Sequence, residues 1–309
     1  MQINFAQTAW IVHINTSRFV LLKIQHLKHS EKVHQIDLEK IIHNKNPKLL
    51  KILPKFILNY IKKVIHQEDF NRLLLQTKDS YGLDFVKEAL EHFQIEVISD
   101  GTENIPKNGG CIVVCNHPLG GIDGIAVMSE VGKIRPDLKA MVNDLLMNLQ
   151  NLSHMMIPVN KHGKNAIQNL RDIDEVYASG NCVIIFPAGL VSRKQNGHVS
   201  DLEWKKGFIS KAIKYKMSVV PVYIEAKNSS FFYNLALLRK KIGVKTNIEM
   251  FYLVDEVYKQ KGKTIKMKVG NAIDYTTFTK AHSQHEWAQK VKDHVYKLRN
   301  SPKNELFDF

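Results

Sequence analysis

Three short runs of unbroken apolar residues constrain this chain most: CIVVC at 111–115, CVIIF at 182–186 and SVVPVYI at 218–224. A run of five to seven such residues reads as a strand covered on both faces, which is how strands of a parallel sheet read. Helical patterns separate them. One runs from about Ile122 to Val131, and another spans 164–178 through Ile167, Leu170, Ile173 and Tyr177 and stops at Gly180. A third is WKKGFISKAIKY at 204–215, and KAMV at 139–142 and MIPV at 156–159 are two further strand candidates. This alternation predicts an α/β core over roughly 98–226, a mixed, mostly parallel sheet flanked by helices. Beyond it, NIEMFYLVDEVY at 247–258 and TIKMKVGNAI at 264–273 read as further strands of the same sheet, and 282–298 as a closing helix.

The first third has a different texture. Residues 1–30 form a mixed apolar and polar arm, 37–43 begin like a short capped helix, and 80–93 read as a helix before the β-like IEVI at 95–98. Between 48 and 65 the pairs Leu49/Leu50, Ile52/Leu53, Phe56/Ile57, Tyr60/Ile61 and Val64/Ile65 recur at helical spacing. Lys48, Lys51, Lys55, Lys62 and Lys63 take much of the other side, and Pro54 should kink the helix or start its longer part. Such a stripe packs against the protein's own core or lies in a lipid headgroup layer. The division expected is 1–94, an N-terminal arm and helical segment with membrane contact as one reading, and 95–309, the α/β domain.

Charge narrows the partners. Forty-four basic against 30 acidic residues give +14, which favours an anionic partner: nucleic acid, an anionic lipid surface or an acidic substrate. No nucleic-acid motif or aromatic–basic repeat accompanies the charge, so no nucleic-acid partner is expected. No stretch of 18 uncharged apolar residues occurs, and the first residues lack a basic start followed by an apolar core, so neither a membrane-crossing helix nor a secretory signal is expected. Cys111, Cys115 and Cys182 are too few for a disulfide framework and read as core residues of a reduced, cytoplasmic protein. The 14 histidines show no zinc spacing, so no metal is expected, and His162 and His198 read as solvated. Trp204 beside Lys205 and Lys206 suits an interface or the core equally.

The loop after the first strand, Asn116-His117-Pro118-Leu119-Gly120-Gly121-Ile122-Asp123-Gly124, holds the first chemistry. A histidine with a carboxylate partner serves as a general base. On a continuous helix six positions turn through roughly 600°, putting the two residues on different faces. Gly120 and Gly121 permit a tight turn that folds Asp123 back toward the ring. Taken alone, such a pair suits structure as well as catalysis. The strand at 182–186 also runs into a loop of unusual composition, Phe186-Pro187-Ala188-Gly189-Leu190-Val191-Ser192-Arg193. Ligands of open α/β sheets gather at the carboxyl ends of strands, so the two loops are candidates for one site.

In order, NHPLGGIDG, then IPVNK with a helix behind it, then FPAGLVSR, then VVPVYI resemble the four blocks of the glycerolipid (lysophospholipid) acyltransferase superfamily, over 116–224. The later EAKNSSFF and MKVGNAI are similar to its hemolysin-like branch, which O-acylates aminolipids. The resemblance implies transfer of a fatty acyl group from an acyl thioester, on acyl carrier protein or coenzyme A, to a hydroxyl of a lyso-lipid, either lyso-aminolipid or lysophosphatidate. It implies His117 as general base and Asp123 as its partner, with Asn116, Lys161, Phe186, Pro187, Gly189, Ser192 and Arg193 binding substrate. It implies no cofactor beyond the thioester co-substrate, and a peripheral site of work on the inner face of the cytoplasmic membrane.

Two departures from the family's pattern matter. Five residues, instead of four, separate His117 from Asp123. The third block carries Ala188, Leu190 and Val191 where Glu, Thr and Arg are usual, so the arginine that grips an acceptor phosphate is missing from its place, with Arg193, Lys194 or Lys161 as candidate substitutes. These departures favour a lyso-aminolipid over lysophosphatidate, and they keep open a catalytically silent, lipid-binding relative.

Overall fold

A computed structural model describes residues 35–143, 146–159, 166–195, 197–244, 247–301 and 306–308. The arm at 1–30, Lys161 and His162 lie outside the described residues. Helices α1 (Leu38–Lys45), α2 (Pro47–Ile52), α3 (Lys55–Val64), α4 (Gln67–Gln76) and α5 (Leu83–His92) precede strands β1 (Glu96–Asp100) and β2 (Cys111–Cys115). Then follow α6 (Gly121–Gly132), β3 (Lys139–Val142), β4 (Met156–Pro158), α7 (Ala166–Ala178), β5 (Cys182–Ile185), and a small hairpin of β6 (Arg193–Gln195) and β7 (His198–Ser200). The chain closes with α8 (Gly207–Tyr215), β8 (Ser218–Glu225), α9 (Ser230–Lys241), α10 (Leu253–Tyr258), β9 (Thr264–Val269) and α11 (Gln284–Lys297).

Seven strands form one sheet in the order β1-β9-β8-β2-β5-β3-β4. Its neighbours are parallel except β8 and β9, so the mixed, mostly parallel sheet expected from the sequence is present. The three apolar runs are its centre: β2 is flanked by β5 and β8, and Cys111 to Cys115 are all fully buried. Alternation along these strands feeds two apolar layers. Cys111, Val113, Cys115, Cys182, Val220 and Val222 face one side, with Leu73, Leu74, Phe85 and Val86 from α4 and α5 and Ala126 to Val131 from α6. Ile112, Val114, Val183 and Val219 face the other, under Ile173 and Tyr177 of α7, Phe208 and Ile209 of α8, and Trp287 and Val291 of α11. The helix α11 begins at a reciprocal cap, Ser283 N–H to Glu286 Oε2 at 2.7 Å and Glu286 N–H to Ser283 Oγ at 3.2 Å.

One expectation needs correction. The segment 247–258 is a short 3₁₀ turn followed by α10, not strand, because its apolar residues recur every three to four: Leu253 packs on Val191, and Val257 and Tyr258 on the main core. Of the two readings of Pro54 the second holds: it separates α2 from the longer α3 and stands as the N-cap of α3. Of the two readings of Trp204 the core one holds, since it is fully buried and packs edge-on against Phe208. Among the described residues no helix is long and apolar enough to cross a membrane. A pocket of about 310 Å³ lies at the amino ends of β3 and β5, lined by residues such as Gly82, Asp137 and His154, and holds none of the expected site residues.

Candidate active site

The strands β2, β5 and β8 run parallel, so the loops at 116–120, 186–193 and 226–229 leave the same end of the sheet. Gly120 makes the first of these loops possible. Its φ of 96° and ψ of −134° are open to glycine alone, and a Cβ there would stand 3.4 Å from both Leu253 and Val191. The turn lets α6 start at Gly121 with Asp123 in its first turn, and the carboxylate reaches back. One oxygen, Oδ2, is 3.0 Å from His117 Nδ1 and also accepts the N–H groups of Leu119 at 2.8 Å and Gly120 at 3.0 Å. The lengthened His–Asp spacing is therefore absorbed, as expected, with Gly120 as the residue responsible and Gly121 already helical.

Asp123 is completely buried, and among the described residues its second oxygen, Oδ1, has no hydrogen-bond partner. Burial pushes its carboxyl up from the ordinary value, against the downward pull of His117 and the two N–H groups. The imidazole is partly exposed and stacks on Phe186, ring centroids 4.2 Å apart. With Nδ1–H donated to Asp123, Nε2 carries the lone pair, and among the described residues it has no hydrogen-bond partner. A buried carboxylate that fixes the tautomer, and an imidazole whose other nitrogen keeps its lone pair, are an arrangement that can serve as a general base.

The remaining expected residues divide. Phe186 forms the platform for the base, and Pro187 O accepts the N–H of Lys205 at 3.1 Å. Gly189 closes the turn through N–H to Phe186 O at 3.0 Å, with a φ of 67°. Asn116, Ser192 and Arg193 have their polar groups engaged by other parts of the protein. Asn116 is buried, accepts Ile224 N–H at 2.7 Å and donates to Ile224 O at 3.0 Å, pinning the end of β8 to the loop. Ser192 donates its N–H to His117 O at 2.8 Å and its hydroxyl to Asp201 Oδ1 at 2.6 Å. Arg193 is buried against Glu249, with Nη2 to Oε1 at 3.1 Å, and shares that carboxylate with Arg239, whose Nε lies 2.8 Å from Oε2. Val191, where the family's arginine would stand, packs with Phe232 and Tyr233.

Two residues beyond the quoted blocks complete the site. Asp201 is fully buried and accepts from His117 N–H at 3.1 Å, Ser192 Oγ and Trp204 Nε1 at 2.9 Å, so one carboxylate ties both loops to the helical layer. No motif announces it. Lys205 brings its ammonium against Gly189, so closely that any side chain at 189 would collide with it. Its place in WKK, directly before α8, is the signal that marks it.

The chain is similar to two lyso-glycine lipid O-acyltransferases. That of Phocaeicola vulgatus is 44% identical over 269 residues, covering 87% of this chain and 96% of the relative. That of Bacteroides thetaiotaomicron is 46% identical over 264 residues, covering 85% and 97%. A solved structure, the 1-acyl-sn-glycerophosphate acyltransferase of Thermotoga maritima, is similar with a TM-score of 0.46 and 19% identity, over 81% of this chain and 91% of that one. An acyltransferase family model matches residues 40–304. The chain belongs to that acyltransferase family, within the glycerolipid acyltransferase superfamily.

Proposed function

We propose that this protein is an O-acyltransferase that moves a fatty acyl group from an acyl thioester to the hydroxyl of a lyso-glycine lipid, with His117 as general base. The observation that carries the mechanism is the 3.0 Å contact between His117 Nδ1 and the buried Asp123 carboxylate at the carboxyl ends of three parallel strands. The acceptor follows from the two relatives that act on this lipid, and from a third block with no arginine at Val191. The donor, acyl carrier protein or coenzyme A thioester, follows from the superfamily.

In the step proposed, His117 Nε2 takes the hydroxyl proton as the oxygen attacks the thioester carbonyl. Asp123 stabilises the imidazolium, more strongly because it is out of water. The tetrahedral intermediate expels the thiolate, which takes the proton back from Nε2. The silent, lipid-binding alternative drew on the altered spacing and on the altered third block, and the His117–Asp123 contact answers the first of these grounds.

The acceptor lives in a bilayer, and the surface suits one. Ile52, Phe56 and Tyr60 stand at 77%, 73% and 53% exposure along the outer side of α2 and α3, while Leu58 faces inward. Tyr60 joins them to Tyr252 by a 2.8 Å hydroxyl contact, and Tyr252 meets Phe231 edge-on at 5.0 Å. Phe251, Phe231, Leu238 and Ile242 extend the exposed apolar area, with Lys51, Lys55, Lys63, Lys240 and Lys241 alongside. Lys62 is instead paired with Glu39 at 2.5 Å. This is the pattern of a surface that enters an anionic headgroup layer, here proposed as the inner face of the cytoplasmic membrane.

The test is acyl transfer from acyl-acyl carrier protein and from acyl-coenzyme A to an N-(3-hydroxyacyl)glycine and to 1-acyl-glycerol-3-phosphate. Transfer to the glycine lipid is expected to lead, and His117→Ala to cut kcat by about 10² to 10⁴-fold with the fold intact. Near-normal turnover in that variant would remove the base.

A further inference from the structure

Asn228, in the loop after β8, is 3% exposed, and among the described residues neither Nδ2 nor Oδ1 has a hydrogen-bond partner. A buried primary amide left with both ends unpaired opposes folding, and native chains keep such a group mainly where something else completes it. Its position is well fixed. Asn228 N–H donates to Tyr233 Oη at 3.0 Å, and the next residue, Ser229, caps α9 while donating its N–H and hydroxyl to Glu256, each at 2.6 Å. Tyr233 packs with Val191, Phe232 and Leu253, and Leu253 and Val191 are the neighbours of Gly120 in the His117 loop. Four residues earlier, Ile224 is clasped by Asn116 of that same loop. Burial first, and then the charge of Asp123, pushes the Tyr233 phenol up to about 12, which puts Tyr233 within electrostatic reach of the dyad. The orphan amide thus lies in the layer packed against the His117 loop.

The clasp by Asn116 shows what a carboxamide does with an extended residue: its oxygen takes the N–H and its nitrogen gives to the oxygen three bonds further on. An N-acylated glycine offers the same pair, its amide N–H and a carboxylate oxygen on either side of one methylene. On a lyso-glycine lipid the amide nitrogen lies four bonds, roughly 5 Å, from the accepting hydroxyl and the carboxylate oxygens lie three bonds beyond it, so that a base in the loop after β2 and a reader in the loop after β8 would address the two ends of one headgroup. We propose that the Asn228 carboxamide reads the N-acylglycine headgroup of the acceptor, Oδ1 accepting the glycine N–H and Nδ2 donating to the carboxylate. This rests on the reading of the acceptor given above. The pantetheine arm of the donor carries amides as well, and the test separates the two.

The variant is Asn228→Leu, similar in size and without polar atoms. Turnover is measured on N-(3-hydroxyacyl)glycine and on its N-methylglycine counterpart, which lacks the N–H, with the donor also varied. Wild type should prefer the N–H acceptor. Asn228→Leu should raise the KM for the glycine lipid by roughly 10- to 100-fold, the scale of hydrogen bonds to a charged group, erase the preference over the N-methyl acceptor, leave the donor KM alone, and keep or raise Tm because an unpaired buried amide is gone. Equal loss on both acceptors through kcat would make Asn228 a support of the dyad, and a shift confined to the donor KM would assign it to pantetheine; either overturns the proposal. Binding of the unreactive N-acylglycine without the hydroxyl, by calorimetry, keeps the two readings apart. Tight wild-type binding lost in Asn228→Leu upholds the headgroup site even if the hydroxylated lipid is not acylated. Turnover of the glycine lipid with unchanged kinetics in the variant overturns the headgroup site alone, and neither turnover nor binding by wild type overturns both.

Discussion

Asp123→Asn and Asp123→Ala should part company, and the difference follows from which oxygen is used. Oδ2 takes all three contacts, from His117, Leu119 and Gly120, while Oδ1 is buried and takes none. An asparagine can therefore place its oxygen where Oδ2 stands, keep every bond and the histidine tautomer, and leave its amino group where Oδ1 already had no partner. Three charge-assisted bonds become neutral ones, a loss of about 1 kcal/mol each, but burying an ionised carboxylate, which costs several kcal/mol, no longer opposes folding. The net change in stability should lie within about 1 kcal/mol of zero. Alanine instead strands the N–H groups of Leu119 and Gly120 in the interior, about 1–3 kcal/mol each, so Asp123→Ala should lose roughly 2–6 kcal/mol. The pH dependence has a definite sign. The folded-state pKa of Asp123 is raised by burial, so the native state holds its proton longer than the unfolded chain and stability falls as pH rises from the ordinary Asp value through the raised one. Asp123→Asn should lack that fall. Activity should drop by about 10- to 100-fold, since only the extra stabilisation of the imidazolium by a full charge is lost. Urea unfolding at several pH values with initial rates on the same preparations would check it. If asparagine destabilises as much as alanine, the charge, not the acceptor geometry, holds this loop and the reasoning fails.

Lys205→Ala should weaken productive binding of the acidic co-substrates by roughly fivefold, the ~1 kcal/mol of one exposed charge contact in water, and the wild-type advantage should vanish in high salt; a salt-independent loss would mean that Lys205 only braces Gly189. Arg135 is buried, pairs with Asp137 at 2.7 Å and donates to the carbonyls of Pro106, Gly109 and Gly180, so Arg135→Ala should lower stability by about 3–5 kcal/mol with no change in KM for active protein; a small ΔΔG in urea unfolding would contradict this. Replacing Ile52 and Phe56 together by Ser should leave Tm nearly unchanged and reduce sedimentation with anionic vesicles, and binding of the unaltered protein should weaken as salt screens the lysines over ~10 Å at 0.1 M; equal binding to neutral and anionic vesicles at every salt concentration would remove the membrane reading.

The sequence shows the central sheet because β2, β5 and β8 are covered on both faces, and only continuous apolar runs satisfy that. The His117–Asp123 contact was legible for a related reason: two glycines in a strand-to-helix turn leave few other ways to explain a carboxylate at that distance along the chain. The segment at 247–258 was misread because Ile248, Met250, Tyr252 and Val254 alternate as a strand would, while Met250, Leu253, Val254 and Val257 also recur at helical intervals. Packing decides between them. Here Leu253 meets Val191 beside the site, which only a folded chain reveals. Asp201 and Asn228 carry no pattern at all; what singles them out is burial, with three side-chain or backbone donors for one and none for the other.

The altered third block shows how far residue types mislead without geometry. With Val191 in place of the family's arginine, the next arginine, Arg193, is the natural substitute, a shift of about 6–7 Å along an extended chain. Its side chain turns the other way. The carbonyl of Val191 takes Nη1 at 2.7 Å, Phe232 covers the guanidinium at 5.2 Å, and Glu249, which it shares with Arg239, pairs with it. Ala188 and Val191 are themselves buried, in different apolar clusters, so the loop has become a piece of the interior at both places where the family carries charge. An exposed guanidinium at 191 would require that cluster to open beside Gly120, whose backbone sets the dyad. The same substitutions that remove the phosphate-gripping cation thus hold the catalytic turn in shape, and any cation offered to an acidic headgroup comes from outside the block, where Lys205 stands against Gly189. A headgroup bearing one carboxylate makes a smaller demand on such a site than a phosphate monoester, so the altered loop suits the acceptor proposed above.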